Sequence, residues 1–331
     1  MNNVANLTHK QREELFIATS RDIDLPEAMT EKDFWICWTL YYLFNLNPWA
    51  KQLTLKGGTS LSKCFNLINR FSEDVDVILD WRILNYEKDD PWTERSRTKQ
   101  DKFNKEMNEK TIKFLREQFL PCIKNDFNRL LADDFDIYID QVDPHTVCFS
   151  YPRIFGIESI LSIVRMEIGV LAAWTPTTNT IITPYSAQVF PEQFENPSTT
   201  ILSVTPERTF WEKATILHKE AFRTDGRVPP RYSRHYYDIY CMSKSPVKDL
   251  ALADLNLLEH VSRFKTRFYY SGSAHYDLAK PGTLRLIPSE LCIPALMDDY
   301  EHMKNMIFGD QPDFIEILRN LQVLEMEIND I

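Results

Sequence analysis

The pattern of hydrophobic and polar positions changes period within the segment 51–79. A short apolar run in KQLTLKGG predicts a strand that ends at two glycines. The next apolar residues fall at i, i+3, i+4 and i+7, which is one face of a helix; they are Leu61, Cys64, Phe65 and Ile68. The sequence DVDVIL then alternates with period two, as a strand does. The segment therefore predicts a strand, a Gly-Gly turn, a helix and a second strand.

Helices are predicted in several other segments. TEKDFWICWTLYYLF opens with Thr30 and has Asp33 three residues later, which resembles a capping box. The stretch Arg95–Leu131 has the pattern of a long charged amphipathic helix or a helical pair. TPERTFWEKATILHKEAF has Thr205 at the capping position and Pro206 at the first helical position. The remainder is mostly helical by pattern, although KPGTLRLIP is predicted to be extended.

Strands are predicted between the two helical parts. DDFDIYIDQVD and HTVCFSY have strand composition, and in ILSIVRMEIGVLAAW apolar residues alternate with Arg165 and Glu167. TPTTNTIITPY and FENPSTT are predicted to be loop-rich. The character of the chain changes near Ser203, so we expect a first domain of residues 1–203 and a mainly helical domain of residues 204–331.

Composition and charge narrow the class of protein. The chain has 331 residues, 44% of them hydrophobic, which is enough for a sizeable core. Its net charge of −10 argues against a general nucleic-acid coat. None of the six cysteines forms a CxxC pair, which favours reduced thiols. No signal-peptide core and no membrane-spanning run is visible, so we expect a soluble cytoplasmic protein without a membrane partner.

Two aspartates give the predicted strands a chemical function. Asp74 and Asp76 point to the same face of a strand, where their carboxylates repel each other unless a cation lies between them. Oxygen ligands of this kind suit Mg²⁺ or Mn²⁺. The upstream turn, with Gly57, Gly58 and the hydroxyl of Ser60, opens a helix whose free N–H groups favour a phosphate. Together they describe a metal–nucleotide site.

Other interpretations of these residues exist. A lone DxD is most often a solvated turn, and a glycosyltransferase or a nuclease also uses acidic strands with a metal. A P-loop is excluded because GxxxxGK[ST] is absent from the sequence. Glu167 is a candidate third metal ligand or general base, or else it pairs with Arg165 on the polar face of an edge strand. The Gly-Gly turn favours nucleotidyl transfer over these alternatives.

The sequence KGGTSLSKCFNLINRFSEDVDVIL resembles the first motif of the AbiEii/AbiGii toxin family of nucleotidyltransferases. EKDFWICWTL, RMEIGV, TPERTFWEKATILHKE, SRHYYDIYCM, PGTLRLIP and DYEHMKNMIFG resemble other family segments in the expected order. The resemblance implies an α+β fold, with a polymerase-β-like nucleotidyltransferase domain (a mixed sheet with flanking helices) followed by a mainly helical domain. It also implies the toxin of a type IV toxin–antitoxin pair, a class often linked to phage abortive infection.

The resemblance further implies cofactors, partners and site residues. Family members transfer a nucleotide from an NTP to RNA such as a tRNA acceptor end, or bind GTP, and they have a cognate antitoxin. By position, Asp74 and Asp76 would hold Mg²⁺ or Mn²⁺, with Glu167 as a less sharply defined third acidic residue. Lys213 and Asp238 match the downstream catalytic lysine and aspartate. The residues that would contact the nucleotide are those of the turn, namely Gly57, Gly58, Thr59 and Ser60.

Lys213 and Asp238 also have simpler interpretations. Lys213 flanks the apolar stripe of its predicted helix, a place that suits either a triphosphate contact or a lysine whose stem covers apolar surface. Asp238 lies four residues after Arg234, so an exposed helical ion pair would explain it.

The segment between Lys213 and Arg234 carries six cations against two carboxylates, a local charge of +4 in an acidic chain. Such a stretch, with its interleaved aromatic residues, would suit an RNA backbone with unpaired bases, or it is only a solvated face. Two hypotheses follow from the whole sequence. The first is a Mg²⁺-dependent nucleotidyltransferase toxin. The second is a nucleotide-binding toxin or regulatory module that acts through a partner with little turnover.

Overall fold

The computed structural model describes residues 1–156, 161–171 and 175–331. The chain divides into two compact units. The first comprises Met1–Cys64 and Ser72–Ser203, and the second comprises Phe65–Phe71 and Val204–Ile331. The sequence analysis assigns residues 65–71 to the first domain, whereas the structure groups them with the second unit. The two-domain division at residues 203 and 204 stays a prediction.

A mixed seven-stranded sheet lies in the described part of the chain. Its strands are β1 (Leu53–Lys56), β2 (Asp74–Leu79), β3 (Asp136–Ile139), β4 (Thr146–Ser150), β5 (Val164–Gly169), β6 (Thr177–Ile182) and β7 (Thr199–Val204). They are arranged in the order β3-β4-β5-β2-β1-β7-β6. β2 pairs with β5 in parallel and with β1 antiparallel, while β1 and β7 are parallel. The predicted fold class, α+β with a mixed sheet, is confirmed.

Two segments that the sequence predicts as loop-rich contain strands. TPTTNTIITPY contains β6, and FENPSTT leads into β7 at Thr199. β6 is one of the two edge strands of the sheet, and most of its side chains are partly or fully exposed, which agrees with its polar sequence. Threonine is β-branched and favours strands, but a threonine-rich edge strand lacks the apolar alternation on which the sequence prediction depends.

The helices flank this sheet in the first unit and make up most of the second. The α-helices are α1 (Asn2–Ala5), α2 (His9–Ile23), α3 (Glu27–Tyr41), α4 (Gly57–Thr59), α5 (Arg97–Phe114), α6 (Leu120–Leu130), α7 (Tyr185–Val189), α8 (Pro206–Ala221), α9 (Ser233–Ser243), α10 (Val247–Ala253), α11 (Leu255–Phe268), α12 (Ile293–Met303) and α13 (Phe314–Asn329). Segments of π-helix at Tyr42–Leu46, Ser60–Cys64 and Leu115–Phe119 follow α3, α4 and α5. No helix among the described residues is long and apolar enough to span a membrane.

Two predicted helix boundaries are wrong. α3 begins at Glu27 rather than after Thr30, whose hydroxyl instead contacts the Pro26 carbonyl oxygen at 3.4 Å. The helix expected from Ser60 begins at Gly57 and ends at Cys64, because Asn66 adopts a left-handed conformation with φ 50°. Such a residue stops a right-handed helix. The last part of the predicted apolar stripe therefore lies beyond the helix end.

An aromatic cluster forms part of the core of the first unit. Trp38 packs against Phe127 with ring centroids 4.8 Å apart, and Phe127 packs against Phe149 at 4.9 Å. Trp35 lies 5.8 Å from Phe149 in an edge-to-face arrangement. Rings of this size contribute large buried areas and favour edge-to-face packing. The cluster packs α3 and α6 against β4, the strand next to the edge strand β3.

The segment Phe65–Phe71 joins the second unit through backbone pairing. The Phe71 N–H donates to the Met306 carbonyl oxygen at 2.8 Å, and the Phe308 N–H donates to the Asn69 carbonyl oxygen at 2.6 Å. Arg70 and Ile307 form an antiparallel bridge between these bonds. The segment between the Gly-Gly-Thr turn and the DxD strand thus pairs with the second unit through an isolated β-bridge.

Candidate active site

The three acidic residues singled out from the sequence lie on adjacent central strands. In the register of β2 and β5, Asp76 is opposite Glu167 and Asp74 is opposite Arg165. Because side chains alternate along a strand, Asp74, Asp76 and Glu167 share one face of the sheet. Neighbouring strands are about 4.8 Å apart. The structure therefore brings the three predicted carboxylates together.

The electrostatics of this face follow from that crowding. Burial, together with the charges of Asp76 and Asp74, raises the pKa of Glu167 to about 7, against the opposing effect of Lys56 and Arg165. Lys56 Nζ lies 3.9 Å from Asp76 Oδ1. Three carboxylates this close repel one another, and a bound cation would relieve that repulsion and favour the ionised form of Glu167.

Arg165 does not neutralise Glu167 in the simple way considered from the sequence. Its Nη1 lies 2.7 Å from Asp140 Oδ2 and its Nε lies 3.9 Å from Asp74 Oδ1. β5 lies between β4 and β2, so it is not an edge strand. The interpretation of Glu167 as half of an edge-strand ion pair is therefore wrong.

Gly57 opens the turn that lies against Asp76. Its φ is +78°, and a Cβ added there would lie 2.0 Å from Asp76 Oδ2, well inside any contact that a real Cβ atom makes. Lys56, the preceding residue, is opposite Asp76 in the antiparallel register of β1 and β2. Glycine is therefore required at this position both for its conformation and for its size. The backbone of the turn therefore packs directly against the carboxylate of Asp76.

The hydroxyl groups of the turn are used within the protein. Thr59 Oγ1 donates to the Asp74 carbonyl oxygen, and Ser60 Oγ donates to the Gly57 carbonyl oxygen at 2.9 Å. Both residues are fully buried, and Gly58 is buried beside them. The Thr59 bond ties the turn to the start of β2 and the Ser60 bond closes the turn on itself, so any contact of the turn with a ligand is made by its backbone N–H groups.

Lys213 and Asp238 come together in the second unit. Asp238, on α9, accepts from Arg70 Nε at 2.7 Å and Nη2 at 2.8 Å, and Lys213 Nζ on α8 lies 2.7 Å from Asp238 Oδ2. The Asp238 side chain is completely buried, and that of Lys213 is 8% exposed. The interpretation of Asp238 as an exposed ion pair with Arg234 is therefore wrong.

Charge pairing dominates the ionisation of this cluster. Burial by itself would raise the pKa of Asp238, but Arg70 and Lys213 hold it well below its usual range. Burial lowers the pKa of Lys213, and Asp238 opposes that shift. Two cations around one carboxylate leave the cluster with a net positive charge. Its third member, Arg70, belongs to the segment RFSEDVD, and its partner 168 positions away was not predictable from the sequence.

The basic stretch after Lys213 is only partly available to a ligand. Arg223 Nε lies 2.5 Å from Glu220 Oε2, and a second contact joins Arg223 Nη1 to Asp225 at 3.5 Å. Arg227 and Arg231 are exposed. Contact of this stretch with RNA stays a prediction.

The metal site also stays a prediction. Among the described residues, no group of three or more His, Cys, Asp and Glu side chains has the arrangement of a metal site. The donor set nevertheless fits a hard divalent cation, because three oxygen-bearing side chains share one face and Glu167 is crowded by its two neighbours.

Comparisons with known proteins identify the family of the chain. Residues 38–320 match the family described as the nucleotidyl transferase AbiEii toxins of type IV toxin–antitoxin systems, and the chain belongs to this family. The predicted nucleotidyltransferase activity is thereby confirmed. A solved structure similar to the chain is MenT4, a nucleotidyltransferase toxin from Mycobacterium tuberculosis H37Rv, with 15% identity, a TM-score of 0.44 and coverage of 98% of both chains. A search of curated proteins finds no match.

Proposed function

We propose that this toxin transfers a nucleoside monophosphate from an NTP to an acceptor hydroxyl on RNA, such as the end of a tRNA, in a reaction that depends on Mg²⁺ or Mn²⁺. The observation that carries the proposal is the register that sets Asp76 beside Glu167, with Asp74 on the same face and the Gly57 turn against Asp76. Acidic oxygens and free backbone N–H groups side by side suit a metal-bound triphosphate.

Asp74, Asp76 and Glu167 would hold the metal. When bound, a divalent cation supplies positive charge that orients the phosphates and stabilises charge developing on them. Glu167 has an alternative role as the base that accepts the proton of the attacking hydroxyl, because it lies opposite Asp76 on the adjacent strand. The hydroxyl oxygen would bond to the α-phosphorus as the bond from that phosphorus to the pyrophosphate oxygen breaks.

The turn Gly57–Ser60 would bind the phosphates through its backbone. It begins a helix that continues to Cys64, and the first N–H groups of a helix lack intrahelical partners. The hydroxyls of Thr59 and Ser60 already donate to backbone carbonyl oxygens, so we assign them the task of holding the turn in place.

Lys213 would neutralise charge on the pyrophosphate leaving group, the role implied by its family position. Asp238 and Arg70 support this role within the second unit. The carboxylate of Asp238 holds Lys213 in one orientation, and the positive charges of Arg70 and Lys213 keep Asp238 ionised. Asp238 is therefore proposed as the residue that orients Lys213, and not as a ligand of the metal.

The partners follow from the family and from the charge pattern. A cognate antitoxin is expected for a type IV toxin. The exposed cations Arg227 and Arg231 would contact the phosphate backbone of RNA. The reaction would take place in the cytoplasm, where NTPs and RNA are abundant.

The test is a label-transfer experiment. The purified protein is incubated with Mg²⁺, total cellular RNA and each of the four α-labelled NTPs in turn, and the Asp74→Ala, Asp76→Ala double variant is the control. Labelled RNA from the wild type alone is the expected result, and the preferred NTP and the band size identify the substrates. Measurable NTP binding without label in RNA or protein would refute the proposal and favour a nucleotide-binding module that acts through a partner.

A further inference from the structure

Three consecutive charged residues on α3 are buried in the first unit. Glu31, Lys32 and Asp33 are exposed by 0%, 1% and 2% of their surface. Charged side chains are almost never buried to this extent unless they are paired, because removing them from water is costly. An apolar residue at each position would pack as well without that cost. The partners of these residues show what the charges do.

Asp33 holds the helix that follows the glycine turn. Its Oδ1 lies 2.7 Å from Lys63 Nζ, and its Oδ2 accepts the Tyr185 N–H at 2.7 Å. Lys63 Nζ also lies 3.9 Å from the centre of the Tyr185 ring. Lys63 belongs to the π-helical segment Ser60–Cys64, which continues directly from the turn at Gly57. The turn is therefore fastened to α3 at the far end of its helix.

Lys32 holds the start of the acidic strand. Its Nζ donates to Glu73 Oε2 at 2.7 Å and to the Leu161 carbonyl oxygen at 2.7 Å. Glu73 is 6% exposed and immediately precedes Asp74, the first residue of β2. The backbone position of Asp74 is thereby tied to the residue next to Asp33.

The pairs Asp33–Lys63 and Lys32–Glu73 lie at the two ends of a segment that belongs to the second unit. Between Lys63 and Glu73, the segment Phe65–Phe71 belongs to the second unit, so the motif leaves the first unit and returns to it within a few residues. The turn and the strand are therefore separated along the chain, and their positions depend on contacts such as the Thr59–Asp74 hydrogen bond and on how the two ends of this segment are held. Lys32 and Asp33, adjacent residues of α3, hold the two ends of this segment.

We propose that Lys32 and Asp33 are positioning residues of the nucleotidyl-transfer site, and this inference rests on the proposed function. The pair Asp33–Lys63 sets the position of the phosphate-binding turn. The pair Lys32–Glu73 sets the position of Asp74 and Asp76. The two pairs therefore affect different ligands: the first the NTP, and the second the metal ion.

Double variants that remove a whole pair test this role without leaving a buried charge unpaired. They are Lys32→Met with Glu73→Gln, and Asp33→Asn with Lys63→Met. The matched control is Lys10→Met with Glu14→Gln on α2, an exposed pair at 3.8 Å that is changed by the same substitutions. Urea unfolding first establishes that each double variant is folded. Binding of Mn²⁺ and of each of the four NTPs is then measured directly, so that the result does not depend on turnover.

The expected result is a divided effect. Lys32→Met with Glu73→Gln weakens Mn²⁺ binding about 10-fold and leaves NTP binding in the absence of metal unchanged. Asp33→Asn with Lys63→Met weakens metal-free NTP binding about 10-fold and leaves Mn²⁺ binding unchanged. The control changes neither quantity.

Either of two results would overturn the inference. One is a pair of folded double variants that bind both ligands as the wild type does. The other is an equal loss of both ligands in both variants, which would indicate a general loosening of the unit. A wild type that binds Mn²⁺ and NTP but transfers no label would contradict the proposed function alone, and the divided effect on binding would still decide the positioning role.

Discussion

Replacing Gly57 with alanine tests the geometry of the candidate site most sharply. The change adds one Cβ atom, which would lie 2.0 Å from Asp76 Oδ2. Contacts shorter than 3.0 Å are essentially never made by a real Cβ atom, so the carboxylate and the turn must separate by about 1 Å. The left-handed conformation at φ +78° costs an alanine a further 1–2 kcal/mol or so.

These two effects have different consequences. The conformational cost lowers the free energy of unfolding, whereas the displacement of Asp76 lowers the rate of the reaction. A shift of about 1 Å in a catalytic group can cost on the order of 100-fold in rate. Gly57→Ala is therefore expected to remain folded at 25 °C, with a lower urea midpoint and about 100-fold slower label transfer.

Gly282→Ala is the matched control. Gly282 has φ +81°, and no heavy atom of the described chain lies within 4 Å of a Cβ added there. This variant has the conformational cost without the collision, so we expect a similar loss of stability and an unchanged transfer rate. Equal transfer rates for the two variants at equal folded fractions would refute the argument that Gly57 makes room for Asp76.

Three further changes test separate parts of the structure. Asp238→Asn leaves two buried cations without their anion and is expected to lower the free energy of unfolding by about 3–5 kcal/mol in urea denaturation; the exposed control Asp225→Asn is expected to leave it almost unchanged, and an equally small effect of Asp238→Asn would contradict the buried cluster. Because the pKa of Glu167 is raised from 4.5 to about 7, its contribution to stability is present below pH 4.5 and is lost as the pH rises to about 7. Between pH 4.5 and pH 8, the metal-free wild type should therefore lose about 2 kcal/mol more than Glu167→Gln, after allowance for the partial exposure of the carboxyl group, and parallel pH curves would be evidence against the shift. Ser60→Ala removes the hydrogen bond to the Gly57 carbonyl oxygen and should lower the free energy of unfolding by about 1 kcal/mol, with an unchanged KM for the NTP. A large rise in KM would mean that the hydroxyl contacts the nucleotide.

The part of the site that was predictable from the sequence is the part that local periodicity determines. Period two places Asp74 and Asp76 on one face of β2, and the same rule places Glu167 on the polar face of β5. The two glycines predict the turn because few other residues tolerate its conformation. Each of these conclusions needs only a few neighbouring residues, and the structure contains the strands as predicted, although the helix after β1 begins at Gly57 rather than at Ser60.

The pairings between distant residues were not predictable in this way. Arg70 and Asp238 are 168 positions apart, and their contact depends on the segment Phe65–Phe71 joining the second unit. The pair of Asp33 and Lys63 has the same character, since neither residue departs from an ordinary helical pattern. A single sequence contains no signal for such pairs, because hydrophobic periodicity reports which face of an element is buried but not what packs against it.

We propose that Asp74, Asp76 and Glu167 form the centre at which nucleotidyl transfer takes place. The most direct measurement compares the rate of Mg²⁺-dependent label transfer into RNA for the wild type, Asp76→Asn and Asp134→Asn. Asp134 is an exposed aspartate of the same unit, so its variant has the same change in charge and composition. We expect Asp76→Asn to lower the rate by about 100-fold or more, and Asp134→Asn to leave it unchanged. A folded Asp76→Asn variant that transfers label at the wild-type rate would contradict the account.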